Sequence, residues 1–98
     1  MASIRKIKKE LALVTDSLLS ICYIAEMSAE KNQLDEIDKI TENSVKMHND
    51  IVFKIQNYRD LAKEQNKPAP KYFKELRNEI NDNVLSIIAQ LKATDKPQ

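Results

Sequence analysis

Ile4, Ile7, Leu11, Val14, Leu18, Ile21 and Ala25 step alternately by three and four positions, and no glycine occurs anywhere in the 98 residues. That spacing puts side chains along one side of an α-helix. A strand needs alternation by two, and no segment of this chain shows it. The pattern therefore predicts an all-α chain. The lack of glycine also removes the flexible loops that most phosphate-binding sites use.

Three helices are expected, at about 3–30, 33–65 and 70–93, in a single domain covering 1–98. Ser3 is the expected N-cap of the first. The second stripe runs through Leu34, Ile37, Ile51, Ile55 and Tyr58, two heptad positions out of phase with the first. On one continuous helix the two stripes would fall on nearly opposite faces. A break is therefore expected in the polar run Glu30-Lys31-Asn32-Gln33, with Asn32 as cap and Asp35 three residues on. A single helix over 3–65 is the alternative. Asn66-Lys67-Pro68-Ala69-Pro70 ends the second helix, because proline lacks the donor and restricts its predecessor. Pro70 suits the first turn of the third helix, whose apolar face reads Phe73, Leu76, Ile80, Val84, Ile87 and Leu91. The last residues, Thr94–Gln98, read as a frayed tail. Short links give antiparallel neighbours, so the expected fold is an elongated up-down-up three-helix bundle.

Apolar residues exceed what such a bundle hides. Leu13, Leu19, Cys22, Tyr23, Ile24 and Met27 lie off the first stripe, and so do Val45, Val52 and Phe53 on the second helix and Tyr72, Leu85 and Ile88 on the third. A bundle helix normally buries about three positions in seven. Burying a Leu or Ile gains roughly 1.5–3 kcal/mol, so five or six of them can offset an association cost of order 4–15 kcal/mol. A homodimer is expected, with the centre of the first helix at its seam and Leu13, Leu19, Tyr23, Ile24, Met27 and Phe53 as candidate contacts.

Specific chemistry finds little support. His48 is the sole histidine, and a phosphotransfer or regulatory role for it is the alternative to an interaction module. Val45 stands where the Glu of a Glu-x-x-His metal pattern would be, and no metal or other cofactor is expected. Thr41, Ser44 and His48 form a polar cluster on the second stripe, of the kind that selects register. Cys22, the sole cysteine, sits in the most apolar stretch and reads as a small buried hydrophobe. One cysteine excludes an internal disulfide framework. Arg5, Lys6, Lys8 and Lys9 form a basic patch that could touch phosphates of nucleic acid or of a membrane surface. The net charge of +1 and the absence of interleaved aromatics argue against nucleic acid. Glu10 and Asp16 interrupt the apolar run that follows, against a secretory signal. No stretch reaches the ~20 apolar residues of a membrane span, since the longest candidate, Ser17 to Ala25, ends at Glu26.

The opening Met1-Ala2-Ser3-Ile4-Arg5-Lys6-Ile7-Lys8-Lys9, with Cys22-Tyr23 in the apolar first helix, resembles small uncharacterised all-helical proteins of Bacteroidetes bacteria. The resemblance covers the first quarter of the chain. It implies a bacterial cytoplasmic protein and carries over no activity and no site. The expected function is a non-catalytic interaction or structural module, not an enzyme.

Overall fold

The structure is a computed structural model and describes residues 2–95. Among the described residues there are four helices and no strand: α1 (Ala2–Ser28), α2 (Lys31–Gln56), α3 (Tyr58–Glu64) and α4 (Ala69–Asp95). The all-α class agrees with the sequence pattern. The helix count does not, because the second expected helix is divided at Asn57. This residue lies at φ −107° and ψ 24°, in the bridge region between helix and strand. Its side-chain Nδ2 donates to Phe53 O at 2.9 Å and its backbone N–H to the same carbonyl at 3.0 Å. Asparagine competes in this way for backbone groups that a continuing helix would use. The chain keeps its path nonetheless, since Leu61 N–H donates to Asn57 O at 3.0 Å.

The break expected between the first two helices is present, so one continuous helix over 3–65 is excluded. Its chemistry differs from the expectation at Asn32. Only Ala29 and Glu30 link α1 to α2. Glu30, extended at ψ 161°, is the N-cap, and its N–H donates to Gln33 Oε1 at 3.1 Å while Gln33 N–H donates to Glu30 O at 2.9 Å. Gln33 thus takes the reciprocal place of a capping box. α1 begins at Ala2, one residue before the start expected at Ser3. At the other end of the chain α4 continues to Asp95, with Thr94 Oγ1 donating to Leu91 O at 2.7 Å. Residues 96–98 of the expected tail lie outside the described residues.

Between α3 and α4 the backbone needs a left-handed residue, and the chain has no glycine to supply it. Asn66 does so at φ 53°. Asn66 N–H donates to Lys63 O at 3.1 Å and Lys67 N–H to Ala62 O at 2.9 Å, the paired bonds of a Schellman stop. Pro68 then caps α4 through its carbonyl, which accepts from Tyr72 N–H at 3.0 Å. Pro70 falls in the first turn, as expected.

Side-chain bonds fix the helix directions. Gln33 Nε2 donates to Thr94 O at 2.7 Å, and Tyr72 O–H donates to Lys54 O at 2.8 Å, so α2 and α4 run antiparallel. Arg77 Nε lies 3.3 Å from Glu10 Oε2, which joins the early turns of α1 and α4. The molecule measures 48 × 21 × 15 Å, elongated as expected. Its core draws Ile7, Leu11, Leu18 and Cys22 from α1, Ile40, Met47, Ile51 and Ile55 from α2, and Tyr72, Phe73, Leu76, Ile80, Ile87 and Leu91 from α4.

Candidate interaction surface

α1 packs one side against α2 and α4 and leaves the other open. The expected inner stripe holds at Ile7, Leu11 and Leu18, then fails at Ile21, which is 44% exposed, while Cys22 is 1% exposed. A helix of 3.6 residues per turn drifts by about 20° per heptad against a strict three-four repeat. Over two heptads the inward position therefore passes from residue 21 to residue 22. The drift rotates Ile21 outward and adds it to the open face.

That face is apolar. Leu13 is 60% exposed, Tyr23 64%, Ile24 63% and Met27 72%, and Leu19 is half-buried. Successive steps of three and four join Leu13, Ser17, Ser20, Ile24 and Met27 along the outer side. Asp16 is the one charged residue from Leu11 to Ala25. Phe53, 58% exposed, stands apart on α2. Four other surplus residues have covers: Cys22 and Tyr72 are buried, and Val52 and Ile88 pack partly against the core. α4 is flanked by α1, α2 and α3, which widens the sector it can bury.

Beside Ile24 the open face runs into a groove of about 350 Å³ at the end of the molecule, where α1 and α4 finish and α2 begins. Ile21, Ile24, Ala25, Ile37, Ile88 and Leu91 supply its apolar wall, and Gln33, Lys92 and Thr94 its polar rim.

Charge is distributed unevenly along α1. Arg5, Lys6, Lys8 and Lys9 are all exposed near its start. Near its end Glu26 meets Asp38 of α2. A side-chain hydrogen bond to Asp38 raises the pKa of Glu26, helped by slight desolvation and by the neighbouring carboxylate charge. Exposed Glu30 follows in the link.

The polar cluster is used up locally. Thr41 Oγ1 donates to Ile37 O and fully buried Ser44 Oγ to Ile40 O, both at 3.0 Å. These bonds to the preceding turn leave neither hydroxyl proton for a ligand. His48 is half-buried, with Nδ1 3.4 Å from Asn49 Oδ1. The buried column of α2 runs through Ser44 and Met47, and Thr41 and His48 flank it. Sequence reading missed Thr15, buried on α1 with no partner for its Oγ1 among the described residues. The signal was present: Thr15 lies four after Leu11 and three before Leu18, on the inner side. Cys22 is a buried free thiol, as expected. No group of three or more metal-ligating side chains occurs among the described residues.

One sequence expectation needs restating. An 18-residue stretch within Ile4–Ser28 reaches a mean hydropathy of 1.4, long and apolar enough by composition to cross a membrane, although uninterrupted apolar runs are short. Alanine and cysteine between the larger residues keep the average up, and serine and threonine lower it only slightly. No family model matches the chain, and no curated protein or solved structure matches it.

Proposed function

We propose that this chain is a non-catalytic protein–protein interaction module that acts as a homodimer. Its framework is an up-down-up bundle of three rods, α1, then α2 with α3, then α4, and the seam is the outer face of α1. The observation that carries this reading is the exposure of Leu13, Tyr23, Ile24 and Met27 on one helix whose other side is in the core. Contiguous apolar surface of this kind marks interaction sites on folded proteins. Burying several such side chains on each copy supplies the favourable term that association needs. A membrane-crossing α1 would withdraw Ile7, Leu11, Leu18 and Cys22 from the core, which is why a folded, cytoplasmic setting is the better reading. The resemblance of the opening residues to bacterial helical proteins fits the same setting.

Sedimentation equilibrium over a concentration series tests the reading. The expected result is reversible dimer formation that Ile24→Asp abolishes, with the circular dichroism of the helices unchanged. A monomer at every concentration, up to high micromolar, overturns it.

A further inference from the structure

We infer that the groove where α1 and α4 finish binds a free medium-chain carboxylate, with its alkyl chain on the aliphatic wall and its head at the Lys92 ammonium. This goes beyond the self-association reading and does not rest on it, because the site is complete within one copy.

The groove of about 350 Å³ lies near the lower limit of the roughly 300–1,000 Å³ typical of small-ligand sites. Its wall, Ile21, Ile24, Ala25, Ile37, Ile88 and Leu91, offers aliphatic side chains only. Ile21 and Ile24 are exposed, so an alkyl chain lying there takes water off side chains that the fold leaves wet.

The rim decides the head group. Its polar side chains are Ser28, Gln33, Lys92 and Thr94. All but Lys92 are engaged within the fold. Ser28 Oγ donates to Ile24 O and to Ala25 O, both at 3.4 Å, and Thr94 Oγ1 donates to Leu91 O at 2.7 Å. Gln33 Nε2 donates to Thr94 O at 2.7 Å, and its Oε1 accepts from Glu30 N–H at 3.1 Å. Lys92 is exposed and enters none of the ion pairs among the described residues. No carboxylate lines the groove, and the side-chain hydrogen bond of nearby Glu26 goes to Asp38 of α2. The formal charge of the lining is therefore a cation alone. An occupant that covers the wall beside it must supply an anion or leave a desolvated ammonium unpaired.

Helix ends fix how the ligand lies. α1 and α4 finish at the groove with partial negative charge on their carbonyl ends, and α2 begins there with partial positive charge. The two carbonyl ends account for a lysine in the last turn of α4 and disfavour a carboxylate deep between them. The head therefore stays at the rim beside Lys92, and the chain enters the groove. An alkylamine meets repulsion from Lys92, and an alcohol leaves it without a counter-charge.

Isothermal titration of decanoate into protein dilute enough to be monomeric gives the first test. One decanoate is expected to bind per chain. Octanoate is expected to bind about fifteenfold more weakly, at about fourfold for each methylene withdrawn from the wall. Absence of saturable binding, or equal binding of the two acids, overturns the site. Methyl NMR spectra locate the ligand. Shifts are expected at Ile21, Ile24, Ile37, Ile88 and Leu91 and not at Ile51 and Ile55 near the far end of α2. Shifts spread over both ends overturn the assignment.

The head group is tested separately. Lys92→Gln is expected to weaken decanoate by about fivefold, the size of an exposed ion pair, and to leave decanol unaffected. Circular dichroism checks that this surface change keeps the helices. Equal effects on decanoate and decanol, or none on either, overturn the carboxylate head, and so does decylamine bound as tightly as decanoate. Sedimentation of ligand-free protein reads self-association on its own. A monomer that binds decanoate keeps this site and removes the dimer, and a dimer whose dilute chains bind none does the reverse.

Discussion

The two ends of the molecule are built differently. At one end α3 lies over the start of α4, and the aromatic rings meet. Tyr58 and Phe73 centroids are 5.1 Å apart, and those of Tyr72 and Phe73 are 5.7 Å apart in edge-to-face contact. Lys54 pairs with Glu79 at 2.6 Å, and Lys67 pairs with Glu75. At the other end no further helix among the described residues closes the space between α1 and α4. Gln33 ties α2 to the last turn of α4 there, and the groove stays open. The short α3 exists because Asn57 divides the second rod and the Schellman stop at Asn66 turns the chain back. The closed end owes its cover to that local chemistry. The open end leaves its apolar wall uncovered, and the proposed interaction role is attached to it.

Replacing the aromatic centre of the closed end has the largest expected effect. Phe73→Ala removes a buried ring contacting both tyrosines and is expected to cost about 3–5 kcal/mol. Leu13→Ala, on the exposed face, is expected to leave the monomer's unfolding free energy nearly unchanged. Urea titrations of both variants at a concentration that keeps the protein monomeric check the contrast. Equal losses in the two variants would erase the distinction between a sealed end and an open face.

Tyr72→Phe sharpens the comparison by keeping the ring and deleting one bond. The phenol donates to Lys54 O, in the last turn of α2, where carbonyls run out of intrahelical donors. A loss of about 1 kcal/mol in thermal or chemical unfolding is expected, smaller than for Phe73→Ala. Burial and the charge of Glu79 also raise the pKa of this phenol. The folded state therefore holds its proton more tightly than the unfolded chain does. The folded state loses stability as pH rises through the ordinary tyrosine value toward the raised folded one, because the unfolded chain gives up its proton first. That alkaline loss is absent in Tyr72→Phe.

Much of the closed end was legible in residue types, and little of the open end was. Pro68 and Pro70 announced the turn, and Phe73, Leu76, Ile80, Ile87 and Leu91 announced the inner face of α4. Asn57 gave weaker notice, since asparagine divides a helix only when its side chain finds a carbonyl such as Phe53 O. Tyr72 was assigned to the surplus because three buried positions in seven is a rule for a helix with two neighbours, and α3 adds another. At the open end, the shift from Ile21 to Cys22 follows from helix geometry that a strict heptad count ignores. The groove requires three helix ends in register, which no linear pattern specifies. Leu13, Tyr23, Ile24 and Met27 were identified as surplus from spacing alone and are exposed.

Asn66 carries a smaller test of what makes the closed end close. A residue with a Cβ strains at φ 53°, asparagine less than most. Asn66→Gly is expected to change stability by less than about 1 kcal/mol, as relief of strain offsets a freer unfolded chain. Asn66→Val is expected to destabilise by about 1–2 kcal/mol. Calorimetric midpoints in the order Gly above Val measure the strain, and the opposite order would remove the left-handed stop as the cause of the turn.

Glu26, at the open end, gives the smallest effect on folding. Its pKa is raised in the folded monomer, first by the hydrogen bond to Asp38 and then by desolvation and the charge of the same residue. A carboxyl raised above its unfolded value binds its proton more tightly when folded. Its contribution therefore favours folding as pH falls through the raised value toward 4.5 and disfavours folding at neutral pH. Glu26→Gln removes that penalty. It should therefore raise the melting midpoint at pH 7, and the difference from the wild type should close as pH falls below the unfolded value. A midpoint at pH 7 that is unchanged or lower would mean that the carboxyl contact with Asp38 carries no penalty for the fold.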